Sequence, residues 1–306
     1  MRFSPEVPII EFLDVSRRWR AGILGATHES LALENVSFRV APGEIIAVTG
    51  APGAGKSTLL LLAAGQAAPT SGSVLWRGAT DPAAVRAQLI GARPWEYHFL
   101  TVRQALAFHA DVLALKDDAL AAPTRFVPLM ARVGLRGRSR VRLGQLDAID
   151  RLRVVLAQAL LARPSLICCE EPFAFCGPEE RRQGVRLLRS IAADGIALLL
   201  ATRESTTLEA YGLADRSFPL ERGRLGPTRR PMRTVLELAV PSPEDAMARL
   251  ASRLPSLARR GRRLRVPLFG HSPEAILALC RDAGVQVRAS RVAEEGIGPE
   301  PQYPTR

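Results

Sequence analysis

The pattern of apolar and polar positions predicts strands and helices alternating around one glycine-rich turn. Ile9 to Val15 alternates weakly and reads as a strand, followed by Arg17-Arg18-Trp19 and a loop through Gly22 and Gly25. Leu33 to Val40, apolar at Leu33, Phe38 and Val40, is a second strand, and Pro42-Gly43-Glu44 turns the chain into the apolar run Ile45-Ile46-Ala47-Val48. Another apolar run, Leu59 to Ala64, follows the glycine-rich turn, and Gly72 to Trp76 is a short strand. From Asp81 to Leu135 the spacing becomes helical, with Leu100, Val102, Leu106, Phe108, Val112 and Leu113, then Phe126, Leu129, Met130 and Val133; this predicts a helical insertion. Leu152 to Ala162 is an amphipathic helix, Leu166 to Cys169 a buried strand, Arg181 to Ala193 a helix and Ile196 to Ala201 another buried strand. Such alternation predicts a mostly parallel α/β core.

After Pro231 the register changes. Val235 to Val240 reads as a strand, Ser242-Pro243-Glu244 opens a helix to about Leu257, and Leu264 to Phe269 is a strand. Ser272-Pro273-Glu274 opens a helix to Cys280, and Val285 to Val292 is a strand. Each helix start has a Ser cap, Pro and an acidic residue. The unit is βαβαβ, and a proline-bearing tail from Gly296 is expected to be disordered.

The turn between the two central apolar runs carries the chemistry. Gly50-Ala51-Pro52-Gly53-Ala54-Gly55-Lys56-Ser57-Thr58 fits G-x-x-x-x-G-K-[ST] between a strand and a helix. Glycines let backbone N–H groups close around phosphates, Lys56 reaches the β/γ-phosphates, the Ser57 hydroxyl takes Mg²⁺, and the helix adds its positive dipole end. The competing reading, a tight turn with a chance lysine, leaves all four fixed positions unexplained. The stretch is a nucleoside-triphosphate site.

Composition adds exclusions. The 306 residues allow one large domain and a smaller one, and 47% apolar with 24% charged residues is a globular balance. No apolar run approaches the roughly 18 to 20 residues that span a bilayer, and Met1-Arg2-Phe3-Ser4-Pro5 has no signal-type apolar stretch, so a cytosolic location is expected. Cys168, Cys169, Cys176 and Cys280 form no C-x-x-C pair, and buried free thiols are the simpler reading. The net charge of +12 comes almost wholly from arginines spread along the chain, Lys56 and Lys116 being the only lysines. Without a basic stripe, no nucleic-acid partner is expected.

Several ordered stretches together resemble the ATP-binding subunits of ABC transporters. They are Gly50 to Thr58, Leu100-Thr101-Val102-Arg103-Gln104-Ala105-Leu106, Ala159-Leu160-Leu161-Ala162-Arg163-Pro164, Glu170-Glu171-Pro172 and Leu213-Ala214-Asp215-Arg216, and the likeness runs from about Ile9 to Leu225. The resemblance implies an α/β P-loop NTPase core of ABC ATPase type with an antiparallel β subdomain and a helical insertion, plus a small α+β C-terminal domain. The expected boundaries are 1–228 for the nucleotide-binding domain, with its helical part at about 81–150, then 229–295 for the small domain and 296–306 for the tail. The Leu-Thr-Val-Arg stretch and the length beyond the core resemble the drug- and polysaccharide-exporter branch, whose membrane channel is a separate polypeptide. In many exporters of that branch a similar C-terminal domain has a regulatory or dimer-contact role.

Position by position, the resemblance makes Glu171 the general base that polarises the attacking water, and puts Glu170 where an aspartate holds the Mg²⁺ shell. It makes Trp19 an aromatic that stacks on adenine, against the competing reading of a partly exposed core tryptophan. Other positions depart from the family pattern. Trp95 falls where a glutamine contacts Mg²⁺ and water, and tryptophan cannot ligate a metal. The signature Leu-Ser-Gly-Gly-Gln falls on Leu146-Asp147-Ala148-Ile149-Asp150, where Asp147 would bring a carboxylate toward phosphate and Ile149 a side chain where backbone must approach. An alignment shifted to Leu143-Gly144-Gln145 needs compensating gaps, and a helix N-cap is the other reading of Asp147. Gly177 stands for a coupling aspartate. Arg203 stands for the γ-phosphate-sensing histidine; it can bind phosphate but cannot shuttle a proton at pH 7.

The resemblance therefore implies a peripheral ATP-binding subunit of an ABC exporter, on the inner face of the plasma membrane, with ATP and Mg²⁺ as cofactors. Its partners would be a membrane permease and a second copy or a paralogous ATP-binding subunit. The substitutions imply an ABC-type ATPase with impaired hydrolysis. The alternative is a pseudo-ATPase that scaffolds or regulates a competent paralogue, and a translation- or repair-type ABC protein is disfavoured by the single nucleotide domain.

Overall fold

The computed structural model describes residues 7–23, 26–91, 97–113, 123–203, 212–229, 232–250, 254, 257–261, 263–268 and 272–296. The chain divides into two compact units, Met1–Glu204 with Arg216–Thr228, and Ser205–Asp215 with Arg229–Arg306.

In the first unit, β1 (Ile10–Ile23) and β2 (Ala26–Val40) form a long antiparallel hairpin, and β4 (Ser71–Trp76) pairs on the other side of β1. The stretch expected as a loop through Gly22 is thus strand. Its polar residues hide the alternation, but they pair across the hairpin: Trp19 faces Ser30, Arg20 faces Glu29, and Arg20 Nε donates to the Glu29 carboxylate at 2.7 Å. The inner face is apolar, with Phe12 and Phe38 stacked 4.7 Å apart.

β3 (Ile45–Thr49) is the middle of a six-stranded sheet ordered β5-β6-β7-β3-β8-β9, with β5 Gln88–Ile90, β6 Leu166–Glu170, β7 Ala197–Thr202, β8 Arg216–Glu221 and β9 Arg224–Leu225. All pairs are parallel except β8 with β9. The strand β5 corrects the expectation of continuous helical structure from Asp81. Three residues are too few to show a two-residue period, and they are held as strand by backbone pairing with β6. The helices are α1 (Lys56–Ala63), which packs on β6 and β7, α2 (Val102–Val112), α3 (Pro123–Val133), α4 (Ala148–Leu161) and α5 (Pro178–Ala193). Thr101 caps α2 in a full capping box with Gln104.

In the second unit, β10 (Met232–Ala239), β11 (Ala258–Arg260), β12 (Arg263–Pro267) and β13 (Ala289–Gly296) make an antiparallel sheet ordered β11-β12-β10-β13. Leu236, Leu238, Leu264 and Val266 share a core with Ala246 and Leu250 of α6 (Pro243–Leu250) and with Ile276 and Cys280 of α7 (Pro273–Asp282). The expected βαβαβ unit gains β11, which pairs antiparallel with β12 next to Gly261 at φ 61°. The expected disordered tail lies outside the described residues beyond Gly296.

Candidate functional site

The parallel strands β6, β7 and β3 bring their C-terminal ends together beside the loop Gly50 to Thr58. Gly50 N–H donates to Thr202 O at 3.3 Å, and a Cβ at Gly50 would lie 2.3 Å from Leu220 O, so β8 admits only glycine there. Gly55 has φ 107° and also approaches backbone: its Cβ would lie 2.3 Å from Ala32 O. These contacts hold the loop against the sheet as α1 begins.

The loop borders an open cavity of about 400 Å³ lined by Pro52, Gly53, Gly55, Lys56, Ser57, Thr58, Glu170, Glu171, Arg203 and Ser30 to Ala32. That volume is within the range of small-molecule sites. Lys56 is 7% exposed, and its ammonium donates to Gly50 O at 2.7 Å and Ala51 O at 2.9 Å. Burial lowers its pKa below the usual lysine value, while the Glu171 and Glu170 carboxylates oppose that shift. A buried cation whose hydrogen bonds among the described residues go to neutral carbonyls of its own loop is poised for an anion.

Ser57 Oγ donates to Glu170 Oε1 at 2.5 Å. Two hard oxygen donors side by side fit a Mg²⁺ ion that takes its remaining oxygens from phosphates and water. Among the described residues no cluster of three or more His, Cys, Asp or Glu could hold a metal by itself.

Glu171 follows β6 with φ 47°. Its Oε2 accepts from Thr202 Oγ1 at 2.9 Å, and its Oε1 accepts from the Arg203 N–H at 2.9 Å and from Arg203 Nε at 3.3 Å. Trp19 is brought to the same loop by the long hairpin: its indole N–H donates to Thr58 Oγ1 at 3.1 Å, and the Arg17 guanidinium lies 4.1 Å from its ring centre. Trp19 is 37% exposed. One ring face is taken by a cation.

The remaining positions lie elsewhere. Asp147 is the N-cap of α4, its Oδ1 accepting from the Asp150 N–H at 2.7 Å, and Ile149 is buried in the first turn. Asp150 is buried too, paired with Arg153 at 2.6 Å and Arg138 at 3.3 Å. Leu143-Gly144-Gln145 is a short 3₁₀ turn. Gly177 is the N-cap of α5, its N–H donating to Glu180 at 2.7 Å. Trp95 lies outside the described residues. Sequence reasoning missed Thr202 and Arg17. No local signal marks either: the strand register shifts between Arg17 and Arg18, so a two-residue period does not connect Arg17 to Trp19, and Thr202 ends a wholly apolar run.

A parallel sheet whose central strand ends in a glycine loop, with a buried lysine at the start of the next helix, defines a P-loop nucleoside-triphosphatase fold. The ABC transporter family model matches residues 33–174. The methionine import ATP-binding protein MetN of Myxococcus xanthus is 33% identical over an alignment 305 positions long that covers 95% of this chain and 88% of that protein. The sulfate/thiosulfate import ATP-binding protein CysA of Caulobacter vibrioides is 33% identical over an alignment 201 positions long that covers 63% of this chain and 59% of that protein. A crystal structure of a nucleotide-free ATP-binding cassette from an ABC transporter superposes with a TM-score of 0.62 at 17% identity, covering 72% of this chain and 90% of the other. This chain belongs to the ABC transporter family and is an ATP-binding subunit. Such subunits bind ATP, normally with Mg²⁺, dimerise, and work with membrane permease components. Among the described residues no helix is long and apolar enough to cross a membrane.

Proposed function

We propose that this chain binds MgATP at the loop Gly50 to Thr58, turns it over slowly, and couples binding to a separate membrane permease as one half of a dimer, peripheral on the membrane's inner face. The observation that carries the reading is Lys56, a buried cation on its own carbonyls at the edge of a cavity that also takes in Ser57 and Glu170. Lys56 and the N–H groups at the start of α1 would hold phosphates, Ser57 and Glu170 would hold Mg²⁺, and Trp19 would stack on the base with the ring face that Arg17 leaves open. Bound Mg²⁺ supplies charge neutralisation at the phosphates. Glu171 would take a proton from the attacking water, at a carboxylate already accepting from Thr202 and Arg203.

Slow turnover is expected because α4 begins with a carboxylate cap where relatives are expected to present a serine and glycines to a partner's nucleotide. The alternative, a pseudo-ATPase supporting a competent paralogue, rests on the same cap and is distinguished by phosphate release from the purified chain with and without such a paralogue. The two relatives named above are import proteins, so the export branch expected from Leu100 to Arg103 finds no support in them. We also propose that residues 1–228 are the nucleotide-binding domain and 229–295 a separate small domain.

Calorimetry tests the central claim. Wild type should bind MgATP saturably, Lys56→Ala should lose about 10- to 100-fold in affinity, the range for a hydrogen bond to a charged group, and Trp19→Ala should weaken ATP and ADP alike. Equal heats for wild type and Lys56→Ala would remove the assignment.

A further inference from the structure

We propose that Arg17 is a positioning residue for the base end of the nucleotide site: its guanidinium backs the ring of Trp19 and fixes the indole as a platform before ATP arrives. The inference rests on the base-stacking role given to Trp19 above and concerns what holds that ring in place.

Trp19 needs a support because of where it sits. β4 pairs with β1 only as far as Ser16 opposite Ser71, and from Arg17 onward β1 pairs with β2 alone. A two-stranded ribbon is only marginally ordered by itself. The indole N–H, donating to Thr58 Oγ1 at 3.1 Å, pins one edge of the ring and leaves the ring free to tilt about that bond.

Arg17 supplies the second constraint. Its guanidinium carbon lies 4.1 Å from the Trp19 ring centre, within cation–π reach. Its Nη1 donates to Ala68 O at 2.9 Å, in the segment between α1 and β4. Its Nε is buried and has no hydrogen-bond partner among the described residues. Buried donors are nearly always paired, so an unpaired one marks a side chain placed for the ring rather than for hydrogen bonding. The β1–β2 register shifts between Val15 and Arg17 and again between Arg17 and Arg18, and irregularities of this kind re-aim a side chain. Thr70 ties the same segment to β1: its N–H donates to Ser16 O at 2.8 Å, and its hydroxyl accepts from the Arg18 N–H at 3.0 Å. The ring is thus held from both ends of α1, by Thr58 in its first turn and, through Arg17, by the segment that follows it. A platform formed in advance lowers the ordering cost of binding a base, and a ligand without a base gains nothing from it.

The test is a cycle of four proteins, wild type, Arg17→Met, Trp19→Ala and the double variant, each titrated by calorimetry with MgATP and with magnesium triphosphate, the inorganic chain that lacks base and sugar. Arg17→Met should weaken ATP binding about two- to tenfold, the range for ordering one side chain, and leave triphosphate binding unchanged. Arg17→Lys, which keeps a cation at the ring, should recover part of the loss. On the Trp19→Ala background Arg17→Met should have no further effect. Equal losses for ATP and triphosphate would make Arg17 a strap for the fold, and additive losses in the double variant would disconnect it from Trp19. Either result overturns the inference, as does an ATP affinity unmoved by Arg17→Met. A wild type that binds triphosphate as tightly as ATP removes the stacking role of Trp19, and one that binds neither removes the nucleotide site itself.

Discussion

Two helix starts in this molecule treat anions in opposite ways. At α1 no side chain caps the helix, no acidic residue lies in the first turn, and the preceding residue is a glycine at φ 107°. At α4 the Asp147 carboxylate already accepts from the third N–H, and Asp150 places a second, buried carboxylate in the first turn. The first therefore leaves its partial positive charge to an external anion, and the second satisfies it from within the chain. A helix N-terminus is a phosphate site only when the chain withholds its own anion. Folding stability is served by α4's arrangement, ligand binding by α1's.

The comparison breaks most sharply at Gly55. Gly55→Ala forces a left-handed backbone costing about 1 to 2 kcal/mol and a Cβ onto Ala32 O, so ATP binding and thermal stability should fall together. Gly53→Ala, at φ 79° with nothing within 4 Å of the added Cβ, should carry the backbone cost alone. Similar melting temperatures and heats of ATP binding for the two variants would show that the approach to Ala32 does not matter.

At the other helix start, Asp147→Ala should destabilise by about 1 kcal/mol in denaturant melts, the usual loss for an N-cap, and Asp147→Ser should be close to neutral. Asp147→Ser keeps the cap and removes the charge, so steady-state phosphate release should rise above wild type. An unchanged rate would mean that this carboxylate meets no nucleotide.

The smallest expected effect is in pH. Burial lowers the Lys56 pKa, so between that value and 10.5 the unfolded chain binds more protons than the folded one. Lys56 therefore contributes a rise in stability with pH across that window, while ATP affinity falls as the ammonium loses its proton. Paired melts and titrations from neutrality toward pH 10.5 should show the stability term disappear in Lys56→Met and persist in Asp147→Ser. Persistence in Lys56→Met would assign it to another group.

Nine contiguous residues, Gly50 to Thr58, were enough to locate the phosphate site, because a strand, a glycine turn and a helix start are set by backbone preferences over a few residues. The parallel core was legible for a similar reason: β3, β6 and β7 are buried on both faces and read as apolar runs. The part of β1 beyond Val15, where Trp19 sits, and the three-residue strand β5 were not, since polar cross-strand pairs and very short strands carry no hydrophobic period. Sequence by itself also nominated Glu170, Glu171 and Arg203 as neighbours of the loop, through their family positions. Only the tertiary structure decided how they are used. Ser57 meets Glu170 from 113 residues away, Trp19 meets Thr58 from 39, and Glu171 meets Thr202 and Arg203 from 31 and 32. The contacts of Glu170 and Glu171 arise because parallel strands end at one sheet edge and that of Trp19 because the antiparallel hairpin reaches the same loop, and which donor takes which lone pair there depends on distances of a few tenths of an ångström that no local preference encodes.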